Sequence, residues 1–224
     1  MAIYVIMTAL VIAIHLVAIK KKLRYVKSIS KVFLIPYLFM TFLVLTETNG
    51  VIVPGRGLLM AALVFYTLGD LLLEFEKEGM FRIGGISFSV GHILYSAFFL
   101  SHGFSFAMAV LFIGIWALIY IFLFEDKMRA LRPKSTPYLV YAAIVMLLGV
   151  SVGATDFDGN WIAKMIAVAG TVSFAFSDAL VIIRETDDTK NEEERVSDDL
   201  LIMVTYIGAN ILLLSSVALL AVMA

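Results

Sequence analysis

The chain has 224 residues, 62% hydrophobic and 16% charged, with mean hydropathy +0.99 and a formal net charge of −1. A soluble domain of this length has no use for so much apolar surface. A near-neutral balance gives no reason to expect nucleic acid or a strongly charged partner. The absence of cysteine excludes disulfides and thiolate metal sites.

The apolar runs repeatedly approach or reach the roughly 17–25 residues that a bilayer requires of a helix. Eight can be drawn, at 2–19, 32–47, 58–74, 86–101, 104–124, 137–154, 162–183 and 200–222. Strands of about ten alternating residues, the mark of a membrane barrel, are absent. Helices also satisfy their own backbone polar groups in lipid, which an open chain cannot do. The expected fold is therefore an all-α polytopic bundle of eight transmembrane helices in one domain, residues 1–224. The first run is apolar from Ala2, with no basic lead and no small-residue cleavage site. It reads as a retained helix, not a signal peptide. Between the fourth and fifth runs, Ser101-His102-Gly103 is short enough to make an antiparallel hairpin.

Charge orients the spans. Lys20, Lys21, Lys22, Arg24, Lys27 and Lys31 follow the first span, Lys77 and Arg82 the third, and Lys127, Arg129, Arg132 and Lys134 the fifth. Arg184, Lys190 and Arg195 follow the seventh, leaving only Arg56 and Lys164 on the other side. By the positive-inside rule the basic loops are cytoplasmic and both termini lie outside. The expected location is a bacterial inner (plasma) membrane. The acid-rich stretch from Glu185 to Asp199 reads as a solvated connector.

Two acids stand inside the apolar runs, Asp70 in the third and Asp178 in the seventh. Each has an aromatic residue four positions before it (Tyr66, Phe174), a small residue directly before it (Gly69, Ser177) and a leucine two after it (Leu72, Leu180). An acid at the centre of a membrane helix costs about 2.5–3.5 kcal/mol on insertion scales, so it usually faces a protein interior or a wet cavity. The two lie about 6 and 9 Å from the basic boundary at 1.5 Å per residue, on spans running in the same direction. One pocket can hold both. The shared pattern also suggests a 4+4 parallel repeat, with spans 1–4 duplicated as 5–8. The plainer alternative is that each acid only hydrogen-bonds a neighbouring helix.

Other polar groups lie within the spans or at their ends, His92 somewhat deeper than the two acids. His92 and Tyr95 are three apart in the fourth span and so lie on one helix face, where the imidazole can relay protons or orient water. Tyr206 and Asn210 share a face of the eighth span, and Tyr37 follows Pro36 in the second. Lys27 and Lys31, at the mouth of the second span, suit a substrate phosphate or interfacial snorkelling. His15 reads as interfacial, and His102 falls in an external loop. No metal-binding run accompanies the acids, and neither a phosphate-binding loop nor a serine-hydrolase elbow is present.

Together these elements resemble the YhhN family of lysoplasmalogenase-type integral membrane proteins. The resemblance rests on Gly69-Asp70, on the Phe88 to Tyr95 run with Gly91-His92, on Ser177-Asp178, and on Tyr206 followed by an amide four residues later. It covers essentially the whole chain, with one departure: Asn210 stands where a glutamine is expected. It implies a lysophospholipid substrate drawn from membrane lipid, with no cofactor. The implied reaction is hydrolysis of a vinyl ether to fatty aldehyde and a glycerophospho head group. Asp70, Asp178 and His92 would be catalytic, and Tyr95, Tyr206, Asn210, Tyr37, Lys27 and Lys31 would bind substrate. Such chemistry asks for one protonated acid and one charged carboxylate, and the residues alone leave open which is which. A proton-coupled transporter using the same two acids is the alternative from another class. An intramembrane aspartyl protease fits less well, because Thr67 replaces a motif glycine. Oligomeric state is not legible.

Overall fold

The computed structural model describes residues 2–75, 78–125, 136–186 and 189–222, and within them the chain is all helix and turn. The eight helices are α1 (Ala2–Lys20), α2 (Arg24–Thr48), α3 (Arg56–Leu73), α4 (Glu78–Leu100), α5 (Phe106–Tyr120), α6 (Thr136–Ala154), α7 (Trp161–Thr186) and α8 (Glu192–Ala221). Seven are long and apolar enough to cross a membrane. The exception is α5, with 15 residues. It runs on into a π-helical stretch, Ile121–Glu125, which completes the expected fifth span. The chain is a polytopic membrane bundle. Lys77, Lys127, Arg129, Arg132 and Lys134, which carry part of the orientation argument, lie outside the described residues.

Three helices begin about two turns earlier than the apolar runs suggest: α2 at Arg24, α4 at Glu78 and α8 at Glu192. Hydropathy marks the hydrocarbon layer, whereas a helix continues wherever its own backbone bonds and caps sustain it. The start of α8 shows this. Asn191 accepts a hydrogen bond from the Glu194 amide at 2.9 Å, and the Glu194 carboxylate accepts one from the Asn191 amide at 2.9 Å. This reciprocal cap, with three acids in the first turn, suits the positive end of a helix. From Glu192 onward the acid-rich stretch is therefore ordered helix, not connector. Asp198 pairs with Lys190 at 2.6 Å, and Asp199 pairs with Arg184 at 2.5 Å and Lys27 at 3.1 Å.

α2, α3, α4, α6, α7 and α8 close into a ring, each packed on the next, with α8 returning to α2. α1 lies outside the ring against α2 and α8, and α5 lies outside it against α6. Exchanging helices 1–4 with 5–8 maps this ring onto itself, the arrangement a 4+4 parallel repeat requires. Under the exchange α3 becomes α7, so Asp70 and Asp178 hold equivalent places inside the ring.

Close approach of neighbouring helices rests on small residues. A Cβ built on Gly69 would stand 2.6 Å from the Phe88 ring, and one on Gly91 would stand 2.4 Å from the Tyr66 ring. These two glycines let α3 and α4 mesh directly beside Asp70 and His92. Hydroxyl donors reinforce the same pairs. Ser87 donates to the Phe65 carbonyl at 2.7 Å, and on the other half Ser173 donates to the Thr205 carbonyl at 2.9 Å and Ser177 to the Ile202 carbonyl at 3.1 Å.

Candidate functional site

Both acids line one cavity of about 820 Å³ inside the ring. All six ring helices contribute to its wall: Lys31 from α2, Asp70 from α3, Phe88 from α4, Tyr141 from α6, Asp178 from α7 and Tyr206 from α8. The cavity borders a second space of about 670 Å³, lined by Lys22, Arg24, Lys27, Arg184, Glu185 and Asp199 among others. Lys31, Leu73, Phe81, Tyr138, Val181, Ile202 and Met203 belong to both walls, so the two spaces adjoin. This vestibule gathers the C-terminal ends of α1, α3 and α7 and the N-terminal ends of α2, α4, α6 and α8. That agrees with helices alternating in direction.

Each acid meets one residue from a helix of its own half and one from the last helix of the other half. Asp70 accepts a hydrogen bond from the Tyr206 hydroxyl at 2.8 Å, and its other oxygen lies 3.8 Å from Lys31 Nζ. Lys31 also pairs with Glu74 at 3.2 Å, and the Ser28 hydroxyl donates to that same carboxylate. Asp178 lies 3.5 Å from His92 Nε2 and beside the Tyr141 hydroxyl. The exchange of halves thus relates Lys31 to Tyr141 and Tyr206 to His92, with the chemistry of each pair changed. Asp70 is met by a cation and a phenol, Asp178 by an imidazole and a phenol.

An aromatic layer backs the acids. His92 stacks edge-on against Phe174 at 4.7 Å and Tyr66 at 5.3 Å, and Phe174 reaches Tyr206 at 5.5 Å. Tyr66, Phe174, His92 and Tyr95 are wholly buried and do not line the cavity. His92 therefore sits behind Asp178, and Tyr66 and Phe174, the aromatic residues one turn before the acids, pack against its ring. Rigid packing of this kind keeps a carboxylate in one rotamer.

The remaining candidates fall elsewhere. Asn210 is buried one turn beyond Tyr206, where its side chain donates to the Tyr206 carbonyl at 2.9 Å. In the other half, Ser96 donates to the His92 carbonyl at 2.8 Å from the equivalent position. Tyr95 stacks on Phe99 and Tyr66, and Tyr37 lines neither space. Lys27 faces the vestibule, engaged by Asp199. His15 is fully buried, with Nδ1 on the Ser30 hydroxyl at 2.9 Å, and borders the vestibule beside the basic residues. Tyr141 and Glu74 escaped the sequence argument. Nothing in the residue order distinguishes Tyr141 from other membrane tyrosines, although the repeat would have led from Lys31 to its helix.

The fold and site define an integral membrane protein with paired carboxylates at an intramembrane cavity. The family model that matches the chain covers residues 26–217, including both acids and all of their partners. The chain belongs to the YhhN family. No curated protein and no solved structure gives a match.

Proposed function

We propose that the protein hydrolyses the vinyl ether bond of lysoplasmalogens, releasing a fatty aldehyde and a glycerophospho head group, with Asp70 and Asp178 as the acid–anion pair. The observation that carries this reading is one cavity holding two buried carboxylates between a charged vestibule and an apolar wall. Such a shape fits a single-chain lipid. The head group occupies the vestibule among Lys22, Arg24, Lys27 and Arg184, and the chain lies along Phe81, Ile86 and Val140. Ile86 and Val140 are 63% and 56% exposed on the outer surface, so the cavity reaches lipid between α4 and α6. Substrate enters sideways from the bilayer.

The reaction begins when a proton adds to the β-carbon of the vinyl ether, leaving an oxocarbenium ion. Water adds to that ion, and the hemiacetal collapses to aldehyde and alcohol. Glycosidases meet a related cation with two carboxyl groups. Family membership supports a lysoplasmalogenase-type protein, and the paired acids supply the groups this chemistry needs. Purified protein supplied with a lysoplasmenyl lipid should release aldehyde, and should leave the ester-linked counterpart intact. Failure to release aldehyde from the lysoplasmenyl lipid would refute the assignment.

The reading places the vestibule on the cytoplasmic side of a plasma membrane, following the basic residues. Because the chain has no cysteine, single cysteines report orientation directly. Residues introduced near Arg56 or Asp158 should react with an impermeant reagent from outside, and those at Lys22 or Lys190 should not. The reverse pattern would invert the protein.

A further inference from the structure

His92 is tied at one end of its ring and unpartnered at the other. Nδ1 lies 2.8 Å from the Phe88 carbonyl, one turn back on α4. A carbonyl can only accept, so Nδ1 carries a hydrogen and Nε2 is left either as a bare lone pair or as a second N–H. Nε2 lies 3.5 Å from Asp178 Oδ2; both atoms are buried, and neither has a hydrogen-bond partner. A bare imine nitrogen facing an ionised carboxylate would set two lone pairs against each other, away from water. One proton between them turns that cost into a hydrogen bond, as imidazole with carboxylic acid or imidazolium with carboxylate.

Asp70 differs in kind. Its oxygens meet a phenolic donor and an ammonium, and both favour the charged carboxylate. Among the described residues, the groups around Asp178 supply no such cation. Tyr141 on α6, Tyr66 and Asp70 on α3, and Tyr206 on α8 are phenols and a carboxylate. Of the cavity's cations, Lys31 is placed on Asp70 and Glu74, and Arg82 is exposed at the rim.

From this asymmetry we infer that Asp178 and His92 hold one proton in common, and that Asp70 is the charged carboxylate of the site. On the reading under Proposed function, the shared proton is the one given to the substrate. It leaves the pair to form the new C–H bond at the β-carbon as the alkene electrons move to that bond, and Asp70 stabilises the oxocarbenium ion. Water's oxygen adds to the cationic carbon and its proton returns to the Asp178–His92 pair. The hemiacetal O–H proton then passes to the ether oxygen as the C–O bond breaks. Atoms and charge balance, and the pair ends as it began. His92 acts through Asp178 and is a positioning residue that stores the proton.

The test reads protonation directly. The chain has three histidines, so a ¹⁵N-histidine spectrum of the full protein is simple enough to assign with His92→Gln. Near neutral pH the wild type should show either an N–H on His92 Nε2 or the infrared carbonyl stretch of a protonated carboxyl. Asp178→Asn should abolish whichever is present, and Asp70→Asn should leave it unchanged. A bare Nε2 with no protonated carboxyl, or a signal lost in Asp70→Asn instead, would overturn the inference. Wild-type spectra decide the shared proton even if His92→Gln fails to fold. A shared proton without aldehyde release would refute the lysoplasmalogen reading alone.

The rate profile gives a second readout. Activity should fall as rising pH strips the shared proton. Asp70→Asn should retain that fall at a lower overall rate, whereas Asp178→Asn should flatten it. A flat profile in Asp70→Asn with an intact fall in Asp178→Asn would reverse the two roles.

Discussion

Asp70→Asn and Asp178→Asn should each fold and insert as the parent does, yet release aldehyde orders of magnitude more slowly. The amide is nearly isosteric with the acid and cheaper to bury, so neither change opens a cavity or breaks the ring. The losses differ in origin. Removing the proton donor forfeits general acid help, typically about 10²–10⁴-fold. Removing the charged carboxylate forfeits a preorganised counter-ion, typically about 10²–10³-fold. Both act on one transition state, so the double variant should be little slower than the slower single one. Aldehyde release should be measured on a lysoplasmenyl lipid, with protein amount and monodispersity checked in detergent. Near-normal turnover by a well-folded Asp178→Asn protein would remove the two-carboxylate mechanism.

The second large effect is expected at Lys31. Its ammonium lies between Asp70 in the last turn of α3 and Glu74, which caps that helix, and its side chain is largely enclosed. Lys31→Met keeps the stem that packs against the cavity wall but leaves two neighbouring carboxylates without it. Breaking a buried ion pair from one side costs about 3–5 kcal/mol when the remaining charge cannot relax. Here proton uptake by Asp70 offers an escape that spares stability and removes the anion. The expected outcome is therefore a modest drop in melting temperature with an activity loss of about 10²–10³-fold. Lys31→Arg restores the charge in a wider, planar group and should recover stability more fully than rate. If Lys31→Met matched the parent in both melting and aldehyde release, Asp70 would not depend on this cation.

Much of the architecture was legible along the chain because the bilayer imposes a one-dimensional code. Eight apolar runs, the basic residues at alternate boundaries, and two acids in a shared aromatic–small–Asp–Leu pattern all follow from residue order. That Asp70 and Asp178 line one cavity was legible for the same reason: similar depth on parallel spans leaves few other arrangements. Helix ends were less legible. Hydropathy fades at the headgroups, whereas α2, α4 and α8 continue through them on their own backbone bonds, so Lys27 and Lys31 belong to a helix and not to a loop. The partners of the acids belonged to tertiary structure altogether. Lys31, His92, Tyr141 and Tyr206 come from four different helices, and which of them meets which carboxylate depends on helix rotation and approach. Gly69 and Gly91 set that approach between α3 and α4, beside Asp70 and His92. A spacing of three or four residues identifies a shared helix face, but not what the neighbouring helix brings to it. The two acids are alike in sequence, and only the packing makes their surroundings different.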